Sequence, residues 1–152
     1  MPTSWRIVKA ALAATAMDGE GARINGGRWN SPGTAVVYTS QSRSLAVLEI
    51  LAHVQSSEIL LSYVTIPVSF PDSLVEVIDP ADLPEDWREN PAPSALKEIG
   101  DRWTAAKRSA VLQIPSAIVP DEHNFVLDPR HPDFASVVVG EPTGFRIDPR
   151  LK

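Results

Sequence analysis

Glu49 is the side chain whose position in this sequence most needs a chemical explanation. It falls among Leu45, Leu48 and Ala52, whose spacing predicts one apolar face of a helix. A carboxylate on such a face loses its hydration unless it finds a partner or faces a cleft. Two interpretations follow: a structural residue, either at the boundary of the core or paired with His53 one helical turn further on, or a catalytic acid.

An arginine lies beside flexible backbone in the run Gly26-Gly27-Arg28-Trp29-Asn30. Two glycines next to a guanidinium suit a phosphate-binding position, where the main chain must pass close to the ligand. A turn in which the arginine packs on the tryptophan explains the same residues equally well. The run matches neither the Walker motif nor the dinucleotide fingerprint.

Three further polar side chains are candidates on weaker grounds. Arg6 is either a surface charge or a ligand-binding residue, and Tyr38 at a predicted strand end either packs or stacks on a flat ring. Ser116 is predicted to begin a strand over 116–119, so its hydroxyl either enters a pocket or makes a local turn bond. A serine esterase is rejected, because the sequence has no G-x-S-x-G elbow and no histidine placement that suggests a triad.

Bulk composition predicts one soluble globular domain over residues 1–152. The chain has 152 residues, of which 43% are hydrophobic and 22% are charged, enough for one substantial core and too short for two ordinary domains. No bilayer-length apolar run and no signal-peptide pattern is evident, so we expect a cytoplasmic protein. The net charge of −5 argues against a general nucleic-acid surface, but it does not bear on a local basic pocket.

Metal chemistry is not expected. The chain has no cysteine, which excludes disulfides, thiolate metal sites and cysteine nucleophiles. Its histidines, His53, His123 and His131, show no short repeated spacing, so ordinary surface or core positions explain them and we predict no metal.

The elements that must position these residues are short, since fourteen prolines interrupt the chain. We predict helices over 9–17, from Ser40 or Ser42 to about 54, and over 94–110; a mobile loop over 18–27; and strands over 34–39, 58–68, 74–78, 116–119, 124–127, 136–139 and 145–147. Runs of strands interrupted by two main helices indicate an α+β fold, with mixed or antiparallel sheets. A βαβ parallel sheet is the weaker alternative.

Taken together, five runs occur in the order in which RES-domain proteins carry them. They are Trp5-Arg6-Ile7, Gly26-Gly27-Arg28-Trp29-Asn30, Val37-Tyr38-Thr39-Ser40, Ala46-Val47-Leu48-Glu49 and Ile114-Pro115-Ser116-Ala117. The chain therefore resembles that family, which is named after Arg, Glu and Ser. Residues 120–132 also resemble the family's carboxy-terminal pattern, with Asp128 standing where relatives often carry asparagine.

The resemblance implies a fold similar to the ADP-ribosyltransferase toxins, NAD as the substrate in a cleft, and a cognate, DNA-binding antitoxin that covers the cleft. It implies that Glu49 stabilises the oxocarbenium-like centre formed when the nicotinamide–ribose bond breaks. Arg6 and Arg28 would hold the pyrophosphate, and Tyr38 would stack on or hydrogen-bond near the nicotinamide ribose. Ser116 would orient the ribose, a phosphate or the acceptor.

The resemblance implies a growth-arresting toxin but leaves the acceptor of ADP-ribose open. Water, inorganic phosphate and a protein side chain correspond to a glycohydrolase, a phosphorylase and an ADP-ribosyltransferase. Two other classes stay as alternatives. One is a noncatalytic module that binds a nucleotide or protein in the same pocket, and the other is a sugar hydrolase that pairs Glu49 with Asp121, Glu122 or Asp128.

Overall fold

The computed structural model describes residues 1–151 and builds them around an eight-stranded sheet. The strands are β1 (Thr3–Lys9), β2 (Val37–Ser40), β3 (Tyr63–Ser69), β4 (Val75–Val77), β5 (Val111–Pro115), β6 (His123–Leu127), β7 (Val138–Val139) and β8 (Thr143–Phe145). Their order is β4-β5-β6-β2-β1-β3-β7, and β8 also pairs with β3. Only the β4–β5 pair is parallel among the pairs in the described chain. The mixed sheet confirms the predicted α+β fold.

Helices and 3-10 segments connect the strands. They are α1 (Glu20–Asn25), α2 (Arg43–Leu51) and α3 (Ser94–Ala106), with 3-10 segments at Ala10–Thr15, Ser56–Leu60, Asp72–Leu74, Pro80–Asp82, Pro132–Ser136 and Pro149–Leu151. Ser42 caps α2 as predicted, because its hydroxyl accepts a hydrogen bond from the Leu45 amide at 3.1 Å. Across residues 1–151, none of the helices has both the length and the apolar character needed to span a bilayer.

The sheet opens between β1 and β2. β1 pairs with β3 along seven residues and β2 pairs with β6 along four, whereas β1 and β2 meet only at Trp5 and Ser40. Beyond this pair the two strands diverge, and α2 lies against both of them. The divergence creates a gap between two halves of the sheet that β-ladder hydrogen bonds do not close.

Three apolar clusters support the two halves. One cluster packs Ile66, Val37 and Phe125 against one face of the sheet, and a second packs Trp29 and Trp103 between α3 and the opposite face of β5 and β6. The third cluster lies beneath α2 and includes the buried Ala46, Ile59 and Tyr63. The gap is therefore bordered by well-packed elements on both sides.

The loop predicted over 18–27 is in part a helix, α1. Glycine content suggested mobility, but the chain forms a helix from Glu20, whose amide donates to the Asp18 carboxylate at 2.9 Å in the preceding turn. Arg23 pairs with Glu20 at 2.8 Å within it. Gly26, at a φ of 72°, ends it in a conformation that other residues adopt only with strain.

Several other predicted boundaries were wrong. The strand predicted over 116–119 is a turn, because β5 ends at Pro115 and the Ser116 hydroxyl then accepts the amides of Ile118 and Val119 at 3.1 Å each. The third helix ends at Ala106 rather than near 110, with Lys107 in the left-handed region at a φ of 54°. The first residues predicted for the strand over 58–68 form a 3-10 segment instead.

Candidate active site

A cleft of about 930 Å³ lies at the gap between β1 and β2. Four of the five residues singled out from the sequence line it: Arg6, Arg28, Tyr38 and Glu49. Ser116 is fully buried and reaches the cleft only through a hydrogen bond to Glu49. The volume falls within the range of roughly 300–1,000 Å³ that is typical of small-molecule sites.

Glu49 enters the cleft from the border of the buried face of α2. The predicted apolar stripe was wrong in detail, because Leu45 is buried while Leu48 is 41% exposed and Ala52 is also exposed. The buried side consists of Leu45 and Ala46, which precede Glu49 by four and three residues and so lie on neighbouring positions of the helix. No ion pair with His53 is present in the described chain, although His53 also lines the cleft.

The Ser116 hydroxyl orients the Glu49 carboxylate. Its oxygen accepts the amides of Ile118 and Val119, which occupies both lone pairs and leaves the hydroxyl proton to donate. That proton is directed to Oε1 of Glu49, 3.1 Å away. Because Ser116 is held rigidly by its own backbone, one oxygen of the carboxylate is fixed in place while the side chain still faces the cleft.

The hydroxyl of Tyr38 is used within the protein. It donates to Oδ1 of Asn30 at 2.6 Å and accepts from the Trp29 amide at 3.1 Å. Burial raises the pKa of Tyr38 well above its ordinary value, so the phenol is neutral. Both hydrogen-bonding functions are therefore directed to the loop over 26–30, and Tyr38 also lines the cleft.

Gly27 permits this close contact between the loop and Tyr38. A Cβ at this position would lie 2.7 Å from the Tyr38 hydroxyl and 2.8 Å from Oδ1 of Asn30. Any larger residue would displace the tyrosine or the asparagine. The glycine is required here for space beside Tyr38 and Asn30. Close approach of this backbone to a ligand, which the sequence pattern suggested, stays a prediction.

Helix α3 holds the same loop from outside, which the sequence did not suggest. Lys97 donates to the Gly27 carbonyl, and Asp101 accepts from the Ser31 amide at 2.9 Å. At Gly100 a Cβ would lie only 1.6 Å from the Trp29 carbonyl oxygen, so the helix and loop backbones touch there. A glycine inside a helix lowers helix stability by up to about 1 kcal/mol relative to alanine. Its presence within the predicted helix was therefore the one feature of the sequence that could have indicated a close contact at this position.

Arg6 spans the gap in the sheet. Its Nε donates to the Ala16 carbonyl at 2.7 Å and its Nη1 donates to the Tyr38 carbonyl at 2.9 Å. Burial lowers the pKa of Arg6 to about 10, and the nearby Asp18 carboxylate opposes the shift. The guanidinium is therefore still charged at neutral pH, and its bond to Tyr38 connects β1 to β2 where the ladder is missing.

Arg28 holds one wall of the cleft in place. Its Nη1 donates to the carbonyls of Trp87 and Glu89, at 3.1 Å and 2.9 Å. These carbonyls belong to the proline-rich segment that precedes α3, and their fixation places Arg88 and Asn90 at the cleft. Sequence reasoning missed both residues because nothing in their local pattern distinguishes them from an exposed loop.

The cleft also contains polar groups on β2 and β6. Ser40 donates to Oδ1 of Asn124 at 2.6 Å, which leaves the amide nitrogen of Asn124 available to a ligand. The hydroxyl of Thr39 is buried and has no hydrogen-bond partner in residues 1–151. Buried polar groups are normally paired, so an unpaired hydroxyl beside a cleft fits a site that receives a polar ligand.

The histidines occupy ordinary positions. His53 lies at the cleft, His123 is exposed, and His131 is buried with its Nε2 bonded to the Lys107 carbonyl at 2.8 Å. In the described part of the chain, no three histidine, aspartate or glutamate side chains are grouped so that they could share a metal ion.

Comparison with known proteins matches residues 3–148 to the model of one family, described as the RES domain. A protein of Yersinia enterocolitica named Toxin Res is 40% identical over 149 residues, which cover 97% of this chain and 98% of the relative. A Sphingobium protein named Prs ADP-ribosylating toxin is 38% identical over 157 residues, which cover 99% and 98%. The crystal structure of the Mycobacterium tuberculosis MbcT–MbcA toxin–antitoxin complex superposes with a TM-score of 0.79 at 20% identity, over 98% of this chain and 85% of that chain, and so shares its fold.

Proposed function

The chain belongs to the RES-domain family, and on that premise we propose that it is the toxin of a toxin–antitoxin module, which cleaves the nicotinamide–ribose bond of NAD and arrests growth. The observation that carries the proposal is a carboxylate, Glu49, held by the buried Ser116 inside a cleft lined by arginines. The name of the Sphingobium relative, an ADP-ribosylating toxin, supports the same reaction class.

Glu49 supplies charge stabilisation in the proposed reaction. The bond between the ribose C1′ and the pyridinium nitrogen breaks, and its electron pair leaves with neutral nicotinamide. Positive charge then develops on the ribose ring, where a fixed carboxylate stabilises it without reorganising. An acceptor forms the new bond to C1′ and releases its proton. The Ser116 hydroxyl keeps Oε1 oriented through these steps.

The residues of the cleft fit NAD as the substrate. The volume of about 930 Å³ suits a ligand of this kind, and the unpaired Thr39 hydroxyl and the free amide of Asn124 are suited to a polar ligand. The positive charges of Arg6 and Arg28 attract the diphosphate of NAD. Each of these arginines also donates to backbone carbonyls. The Tyr38 ring is left to stack on a flat part of the substrate, since its hydroxyl is already used.

We propose a protein as the first acceptor to test, because the Sphingobium relative is named an ADP-ribosylating toxin. Inorganic phosphate and water are the other acceptors compatible with the chemistry. The purified chain is incubated with NAD alone, with added phosphate, and with protein extract. Label on an extract protein supports a transferase, acceleration by phosphate supports a phosphorylase, and free ADP-ribose alone supports a glycohydrolase.

The decisive variant is Glu49→Gln, which keeps the shape of the side chain and removes its charge. We expect nicotinamide release to fall roughly 100-fold or more, as when other electrostatic groups of active sites are removed. Glu98→Gln, on the exposed side of α3, removes the same charge elsewhere and serves as the matched control. Undiminished release by Glu49→Gln refutes the mechanism. NAD binding without nicotinamide release by the wild-type chain points instead to a noncatalytic binding module.

A cognate antitoxin is the proposed partner, since the structural neighbour was crystallised as a toxin–antitoxin complex. Leu12, at 54% exposure, and Ile118, at 39%, are apolar residues that line the cleft and that a partner can cover. We place the complex in the cytoplasm, where such a partner would meet the toxin. Ile118→Asp should weaken copurification of a coexpressed antitoxin, whereas the matched exposed change Leu60→Asp should not.

A further inference from the structure

The segment over 87–90 is fixed to the cleft by its backbone. The carbonyls of Trp87 and Glu89 both accept from Nη1 of Arg28, at 3.1 Å and 2.9 Å. The residue between them, Arg88, lines the cleft, as does Asn90. One arginine thus holds the backbone that presents a second arginine.

The Arg88 guanidinium is itself oriented. Its Nε donates to the Ala117 carbonyl at 3.0 Å, and Ala117 directly follows Ser116, the partner of Glu49. With Nε fixed, the plane of the guanidinium is set near the Glu49 end of the cleft. The two terminal nitrogens make no hydrogen bond within residues 1–151 and remain as donors.

Neither of these arginines is neutralised by the protein. Other arginines, such as Arg23 and Arg108, pair with carboxylates, whereas Arg28 and Arg88 have no such ion pair in the described chain. Two cations on one wall repel each other unless an anion lies between them or water screens them. A planar fork with free donors matches the oxygens of a phosphate group in bidentate geometry.

We propose that Arg88 is a phosphate-binding residue of the cleft, presented by the Arg28-held segment over 87–90. The proposal rests on the proposed NAD reaction for its biological ligand, which is either the diphosphate of NAD or an inorganic phosphate acceptor. Arg28 then has a second task, because it positions the backbone that carries Arg88. Arg88 binds and positions the anion and does not take part in bond breaking.

The test is titration calorimetry of the full chain with pyrophosphate, NAD and nicotinamide riboside, which lacks phosphate. Arg88→Gln should lower the affinity for pyrophosphate by about tenfold or more, since a charge-assisted bidentate contact is lost. Arg88→Lys should restore only part of it, because lysine keeps the charge and loses the fork. Arg146→Gln, an exposed arginine away from the cleft, should bind all three ligands as the wild type does.

The ligands separate the two sources of phosphate. A parallel loss of NAD affinity in Arg88→Gln, with riboside affinity unchanged, assigns Arg88 to the diphosphate of NAD. If Arg88→Gln keeps its NAD affinity but loses pyrophosphate binding, and phosphate no longer accelerates its nicotinamide release, Arg88 is assigned to the inorganic phosphate acceptor. The proposal is overturned if Arg88→Gln binds pyrophosphate as tightly as the wild type, or if the wild type does not bind pyrophosphate. It is also overturned if Arg88→Gln loses as much affinity for the riboside as for pyrophosphate.

The same titration keeps this inference apart from the proposed function. A wild-type chain that binds pyrophosphate through Arg88 but releases no nicotinamide contradicts the NAD reaction and leaves the phosphate site standing. If Arg88→Gln cleaves NAD as well as the wild type, with the same KM and the same dependence on phosphate, the phosphate site is contradicted. The proposed NAD reaction is then unaffected.

Discussion

The Ser116 hydroxyl lies 3.1 Å from Oε1 of Glu49 and connects the end of β5 to the last turn of α2. The two residues are 67 positions apart in the sequence. Ser116 is buried, and its oxygen is already occupied by two backbone amides. In the proposed reaction it therefore acts through Glu49 and does not touch the substrate.

Ser116→Ala should lower kcat for nicotinamide release about 10- to 100-fold and leave KM for NAD nearly unchanged, because only the orientation of Glu49 is lost. The amides of Ile118 and Val119 lose their acceptor, so the free energy of unfolding should fall by about 1–3 kcal/mol.

A double-mutant cycle of Ser116→Ala with Glu49→Gln tests this coupling. If Ser116 works through Glu49, the double variant should be about as slow as Glu49→Gln alone. Independent, multiplicative losses in kcat would contradict a positioning role for Ser116.

Tyr38→Phe should destabilise the loop over 26–30, because the bonds to Asn30 and to the Trp29 amide are lost. We expect the free energy of unfolding to fall by about 1–2 kcal/mol at neutral pH, measured by urea denaturation. The KM for NAD should rise, since the loop carries Arg28.

The same variant should change the alkaline stability profile. The pKa of Tyr38 is raised in the folded chain, so above the ordinary tyrosine pKa of about 10 the unfolded chain loses a proton that the folded chain keeps. Stability from this group is therefore complete below about pH 10 and declines as pH rises further. The free energy of unfolding of Tyr38→Phe should therefore decline less steeply above about pH 10 than that of the wild type. Tyr63 and Arg6 contribute equally to the profiles of the two proteins. Identical slopes would show that the Tyr38 phenol does not resist ionisation.

Gly100→Ala should strain the contact between α3 and the cleft loop. The added Cβ would lie 1.6 Å from the Trp29 carbonyl oxygen, a backbone atom that cannot rotate away. Despite the higher helix propensity of alanine, unfolding free energy should fall by about 1–3 kcal/mol or more, and NAD affinity should fall with it.

Gly144→Ala is the control for this prediction, because no atom lies within 4 Å of a Cβ at that position. It should leave both stability and NAD affinity close to those of the wild type. A Gly100→Ala protein as stable as this control would show that the helix and loop separate easily.

Asp128→Asn should be tolerated. Asp128 is buried, and its Oδ1 accepts the Arg130 amide at 2.9 Å while Oδ2 pairs with Lys107 at 2.7 Å. Asparagine keeps the acceptor for the amide, and Lys107 is exposed enough to be hydrated when its partner loses charge. We expect a change within about 1 kcal/mol, against a loss of about 1–3 kcal/mol for Asp128→Ala.

Nicotinamide release by Asp128→Asn is the accompanying measurement. Asp128 does not line the cleft, so the rate should match that of the wild type. A large loss of activity in a stable protein would indicate that this loop contributes to the reaction.

The sequence alone determined the features that depend on near neighbours. Ser42 caps α2 through an amide three residues away, and Glu49 could be singled out because a carboxylate among apolar residues needs a partner or a cleft. The ordered runs around Arg6, Arg28 and Glu49 indicated the RES-domain family, which the comparison shows. Runs of strand signals interrupted by two main helix signals indicated the α+β class.

Only the tertiary structure decided which groups meet. Arg28 bonds carbonyls 59 and 61 residues away, and Lys97 bonds a carbonyl 70 residues away, so no local pattern could show these contacts. The sequence did not single out Arg88, whose neighbours Trp87 and Glu89 are bonded to Arg28 only in the fold. Ser116 read as the start of a strand until its hydroxyl was found between two amides and Glu49. The physical reason is that local hydrogen bonds depend on adjacent residues. The cleft, in contrast, exists because β1 and β2 diverge after a single pair, and the 27 residues that connect Lys9 to Val37 separate these strands in the sequence.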